Sequence, residues 1–113
     1  MEILNSQKKL ALKTPDGFVF LDYAEIIRFE ANRNSCVLYE VNKMKSEIIL
    51  HSFKEILEKI EGSDQFYKCH RSHIVSFKYV KRFNVKTRII TMEQGEVPIS
   101  EQYIMDFMSH FCK

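Results

Sequence analysis

Glycine is scarce. Three in 113 residues leave little backbone for the close approach that cofactors demand, and no Gly-rich phosphate loop, His-Glu-x-x-His or Gly-x-Ser-x-Gly pattern occurs. Those absences weigh against an enzyme and against a bound cofactor. Cysteine is scarce too: Cys36, Cys69 and Cys112 are odd in number and lack the spacing of a paired framework. Reduced thiols in a cytoplasm follow. No apolar run approaches the ~18 residues of a membrane span, and Met1 to Asn5 lack the basic flank and apolar core of a secretory signal. Neither a membrane partner nor an extracellular setting is expected.

A further absence is local. No acidic residue falls between Asp64 and Glu93, whereas Lys68, Arg71, Lys78, Lys81, Arg82, Lys86 and Arg88 all do. The acids gather in Glu47, Glu55, Glu58, Glu61 and Asp64, and again in Glu93, Glu96, Glu101 and Asp106. A net charge of only +2 therefore hides a basic stretch suited to a polyanion. What is present otherwise is ordinary for a folded protein: 45% hydrophobic and 12% aromatic residues in a length that makes one domain.

Alternation over residues 9–14 ends in Pro15-Asp16-Gly17, a turn signal, and Phe18 to Leu21 read as the returning strand of a hairpin. Asp22 is placed to cap a short turn. Ile27, Phe29 and Ala31 alternate with Arg28 and Glu30, predicting a half-buried strand; Asn32 to Ser35 break it, and Val37, Tyr39 and Val41 resume the alternation. Glu47 to Leu50 run back. Ser52 and Glu55 form a capping-box pattern ahead of Phe53, Ile56, Leu57 and Ile60, which share one helix face, with Gly62 as the stop. Strands are predicted over 65–69, 77–85 and 88–92, then a short one at Val97 to Ile99. Ser100 is expected to cap a last helix with Ile104, Phe107, Met108 and Phe111 on one face. The sum is a mainly β, α+β chain whose connections are too short for βαβ units, the central helix excepted. It contains no internal repeat or low-complexity tract.

The densest chemistry lies in Tyr67 to Phe77, YKCHRSHIVSF. Cys69, His70 and His73 are donor types that suit zinc, but the first two are adjacent and no second cluster completes a site. No metal is expected. Ser72 and His73 are neighbours whose side chains diverge in an extended segment, so a nucleophile–base pair is not supported. Binding fits better. Arginine can grip a phosphate or guanine O6 and N7, amides suit adenine, and serine hydroxyls hold phosphates. Such groups occur at three breaks between elements: Arg33-Asn34-Ser35, His70-Arg71-Ser72 and Ser100-Glu101-Gln102.

Taken in order, Ile27-Arg-Phe-Glu-Ala31 before an Asn-containing loop, the amphipathic helix, Phe66-x-x-Cys-His-Arg-Ser-x-Ile-Val75 and Gly95-x-x-Pro-Ile-Ser100 resemble the LytTR family. Its members are the DNA-binding domains of LytR/AlgR-type bacterial response regulators. The resemblance implies an elongated fold of small antiparallel sheets over residues 8–113, after a tail or linker at 1–7. It implies loops that read bases in successive major grooves of double-stranded DNA, at direct repeats, with a dimer on the DNA. Its base-contacting positions fall at the loop around Asn34 and Cys36, at Arg71 and at Gln102, and phosphate contacts at Arg33, Ser35 and Ser72. His70 is expected to brace the Arg71 loop. Relatives usually carry a receiver domain and answer to a sensor kinase. Three departures stand out: Ser35 replaces a common aromatic, Ser76 a common asparagine and Glu101 a common arginine. A carboxylate at the last repels phosphate and can accept from cytosine N4. The alternative function is a protein-interaction module built on exposed strands and the last helix, with a neutral loop edge.

Overall fold

The computed structural model describes residues 9–111; the expected tail at 1–7 lies outside them, as does Cys112. Ten strands and two helices follow in the order β1 (Lys9–Thr14), β2 (Gly17–Asp22), β3 (Ile26–Asn32), β4 (Ser35–Glu40), β5 (Glu47–Ile49), α1 (Phe53–Lys59), β6 (Phe66–His70), β7 (His73–Ser76), β8 (Val80–Asn84), β9 (Ile89–Met92), β10 (Glu96–Pro98) and α2 (Ile104–Ser109). They build three antiparallel sheets: a β1–β2 ribbon, a five-stranded sheet ordered β5-β4-β3-β7-β6, and a three-stranded sheet ordered β10-β9-β8. The molecule is elongated, 45 × 34 × 25 Å.

The five-stranded sheet is the middle layer, buried on both faces. On one face Phe29, Cys36, Leu38 and Ile74 pack against Leu10 and Leu12 of the ribbon, Ile56 of α1 and Ile60 just after it. On the other, Ile27, Cys69 and Val75 meet Ile90, Met92 and Val97 of the three-stranded sheet and Phe107 of α2. α1 forms as its sequence dictates. Ser52 Oγ accepts from Glu55 N at 3.1 Å, and Glu55 Oε1 accepts from Ser52 N at 2.8 Å, which satisfies two of the donors left over at a helix start.

Four local expectations are corrected. β3 is not half-buried: Ile26 to Phe29 are all buried, because a register shift between Ile26 and Arg28 puts Ile27 and Phe29 on opposite faces, each covered. The strand expected over 77–85 begins only at Val80, since Phe77–Tyr79 coil into a 3-10 turn. His73–Ser76 form a strand of their own, inserted between β3 and β6. Ser100 makes no side-chain cap; a 3-10 turn over Glu101–Tyr103 precedes α2.

Arg28, on the alternating polar face of the sequence, is buried. Its guanidinium lies 3.6 Å from the Tyr39 ring centroid, donates to Glu30 Oε1 at 3.2 Å and reaches the Gln94 carbonyl at 3.4 Å. Gln94 in turn donates to the Lys43 carbonyl at 2.7 Å. Stacking on an aromatic face and two polar partners make the burial of that charge tolerable, and the β9–β10 turn is thereby latched to the middle sheet.

Candidate nucleic-acid interface

Antiparallel pairing brings two turns to one end of the middle sheet. β3 and β7 pair with Glu30 opposite His73, so the β3–β4 turn and the β6–β7 turn emerge side by side. The backbone closes the join: Ala31 N donates to Ser72 O at 2.8 Å. A third segment is pinned to the second by Ser100 N donating to Cys69 O at 2.9 Å. The three breaks of the sequence thus meet on one edge.

In the first turn, Asn32 pairs with Ser35 and leaves Arg33-Asn34 as a two-residue tip. Both are exposed. Arg33 has φ of 59°, a left-handed conformation that ordinarily favours glycine or asparagine. Ser35 Oγ donates to Asn32 O at 3.0 Å, a bond internal to the turn. Cys36 differs from its expectation as a contact. It is fully buried in the core beneath the turn, and burial, with Glu55 nearby, pushes its thiol up to about 11. Its side chain is a packing group with no path to a base.

In the second turn His70 pairs with His73, and Arg71-Ser72 form the tip with Arg71 exposed. Ser72 N donates to His70 Nδ1 at 3.1 Å, and the His70 and His73 rings meet edge-on at 5.2 Å. Beneath them Cys69 is buried, its thiol pushed up to about 12 by desolvation. His73 is held below its ordinary value, by desolvation first; Glu30 opposes this, while His70 and Arg28 add to it.

The second and third segments enclose an open groove of about 710 Å³ lined by His70, Arg71, Ser100, Glu101 and Gln102. The β3–β4 tip stands beside this groove and does not line it. The third segment is carried on α2, which Tyr67 of β6 anchors: its Oη donates to Asp106 Oδ2 at 3.0 Å and lies 3.2 Å from the Tyr103 carbonyl, while its ring packs on Phe77, Tyr103 and Phe107. One residue escaped sequence reasoning. Arg88, at the end of the β8–β9 connection, places Nη2 3.5 Å from Glu101 Oε1. The only signal for it was its membership of the basic stretch.

A groove with a guanidinium, an amide, an imidazole, a hydroxyl and a carboxylate suits a polar, partly anionic surface. Among the described residues no group of three or more His, Cys, Asp and Glu is arranged to hold a metal ion, and no helix is long and apolar enough to cross a membrane. The family model described as the LytTr DNA-binding domain matches residues 16–111. Among solved structures, the chain is similar to the LytTr DNA-binding domain of a Bacillus cereus protein described as a methyl-accepting/DNA response regulator. The two share 23% identity and a TM-score of 0.73 over 93% of this chain and 97% of the other. A search of curated proteins found no match.

Proposed function

The chain belongs to the LytTR family of DNA-binding domains, and from that premise we propose that it reads specific sequences of double-stranded DNA as part of a cytoplasmic bacterial transcriptional regulator. The observation that carries this reading is the convergence of three polar loops on one edge through Ala31–Ser72 and Ser100–Cys69 backbone bonds. That edge presents Arg33, Arg71 and Arg88, the last beside the carboxylate of Glu101. Three arginines at the loops favour this reading over the rival interaction module, which requires a neutral edge.

Roles follow from chemistry and position. Arg71, exposed at a tip and flanking the groove, is the residue assigned to a guanine edge, where its fork matches O6 and N7. Gln102, with an amide on the far wall, suits adenine. Asn34 is assigned to base edges and Arg33, Ser35 and Ser72 to flanking phosphates, which fix register without reading sequence. His70 braces the Arg71 turn by accepting the Ser72 N–H, which holds the guanidinium's backbone in one conformation and spares the ordering cost on binding. Use of paired direct repeats by a dimer, and control through a receiver domain and sensor kinase in the parent protein, belong to the same proposal.

Recovery of bound duplexes from a random pool tests it, with Arg71→Ala alongside. The expected result is an enriched motif for the wild type, and for R71A a loss of about 1–3 kcal/mol, roughly 5- to 150-fold in Kd, with relaxed preference at one position. Undiminished affinity and an unchanged motif would sink the assignment of Arg71.

A further inference from the structure

Of the three converging segments, one presents a negative charge. Glu101 is 77% exposed at the groove wall, and Arg88 beside it is 52% exposed at 3.5 Å. Arg88 is not a loose side chain on a free loop. Its N donates to Asn84 O at 2.8 Å and its carbonyl accepts from Ile99 N at 3.0 Å, so the β8–β9 connection is tied to the strand leading into Ser100. The ion pair is therefore carried on backbone that is fixed on both sides.

An ionised carboxylate only accepts hydrogen bonds. Facing phosphate, it repels. Facing the major groove, it meets acceptors on guanine and on thymine O4. Adenine offers the N6 donor beside the N7 acceptor, which suits an amide but opposes a second carboxylate oxygen. Cytosine N4 is a donor without that neighbouring acceptor. The pair with Arg88 changes what such a group costs. The guanidinium lowers the carboxylate's repulsion of the duplex, and its remaining N–H groups are free to take a phosphate.

Resting on the DNA-reading function above, we propose that Glu101 is a specificity-determining residue that selects cytosine in the major groove, with Arg88 as its positioning partner and phosphate anchor. Adverse charge against three of the four bases makes the carboxylate a device for rejecting wrong sites as much as for holding the right one.

The experiment is selection from a random duplex pool with the whole chain, its E101A, E101Q and R88Q variants, and a salt series on one non-specific duplex. The wild type is expected to recover a motif with cytosine fixed at one position. E101A loses that preference, E101Q shifts it toward adenine, and both bind the non-specific duplex several-fold more tightly. R88Q blurs the cytosine preference and binds more weakly, with a log–log salt slope shallower by about one. A wild-type motif that E101A and E101Q reproduce unchanged would overturn the proposal and leave the DNA-reading function standing. Failure of the wild type to enrich any motif would bring down both. An R88Q salt slope equal to the wild type's removes Arg88 from the role.

Discussion

At the scale of single residues, the second turn sets two histidine rings edge to edge. His70 Nδ1 accepts the Ser72 N–H. His73 is partly buried with an Nδ1 that has no hydrogen-bond partner, between Glu30 and Arg28 of β3 and the ring of His70. Desolvation holds its folded pKa below its ordinary value of about 6.5. In the unfolded chain His73 takes a proton near that value, in the folded chain only at lower pH. The unfolded state thus binds more protons in this window, and stability must fall as pH drops from about 6.5 through the folded pKa, while staying level above. Urea unfolding at pH 7.5 and 5.5 should show a lower midpoint at the acid end. In His73→Gln the difference should shrink. An identical pH dependence in the variant would show that the imidazole is not desolvated as described.

At the scale of elements, legibility tracks how local the determining interactions are. α1 was readable because its capping box, its apolar face and its stop all lie within a few residues. The β1–β2 hairpin was readable for the same reason, through its Pro15-Asp16 turn. β3 misled because its burial is decided by partners distant in sequence, the ribbon on one side and the β8–β10 sheet on the other. Arg28 looked like a solvated face for want of any sign that Gln94, 66 residues on, would cover it. The candidate loops were visible as clusters of polar side chains, and the LytTR resemblance assigned them roles. Their convergence depends on register between β3 and β7, which no loop encodes. Cys36 was misassigned because strand alternation beneath a turn decides whether a side chain points out or in.

The latch made by Arg28 gives this scale its test. Gly95 sits in the β9–β10 turn at φ of +82°, where a Cβ would lie 3.0 Å from Arg28 Nη2. Gly62 is a natural control, with φ of +89° and nothing near its missing Cβ. Gly62→Ala should lose only the left-handed penalty, about 1–2 kcal/mol. Gly95→Ala should lose that and also push the guanidinium back by a few tenths of an ångström against Glu30, Tyr39 and Gln94, bringing the total to roughly 2–3 kcal/mol. Denaturant titration of both variants measures the difference. Equal losses would mean that the turn does not bear on the latch.

At the scale of the whole molecule, a long three-layered body carries its three polar loops at one end of the middle sheet, and under the proposed function charge rather than size governs how that end meets a duplex. Arg33, Arg71 and Arg88 supply two or three phosphate-neutralising charges, which corresponds to a log–log salt slope between about −2 and −3. Affinity should then fall roughly 10- to 40-fold between 50 and 200 mM salt; a flat response would point to a ligand other than DNA. Arg33 makes the sharpest probe, because its two contributions have opposite sign. Its φ of 59° costs about 1 kcal/mol or more in a residue with a Cβ, which glycine would not incur at that tip. Under the proposed function, a task in binding is a reason for an arginine at such a position. Arg33→Gly should therefore leave the fold as stable or more so, by up to about 1 kcal/mol in urea titration, while weakening DNA binding several-fold and reducing the salt slope by about one. A variant that lost stability as well as affinity would place Arg33 in the fold, and one that lost neither would remove it from the DNA edge.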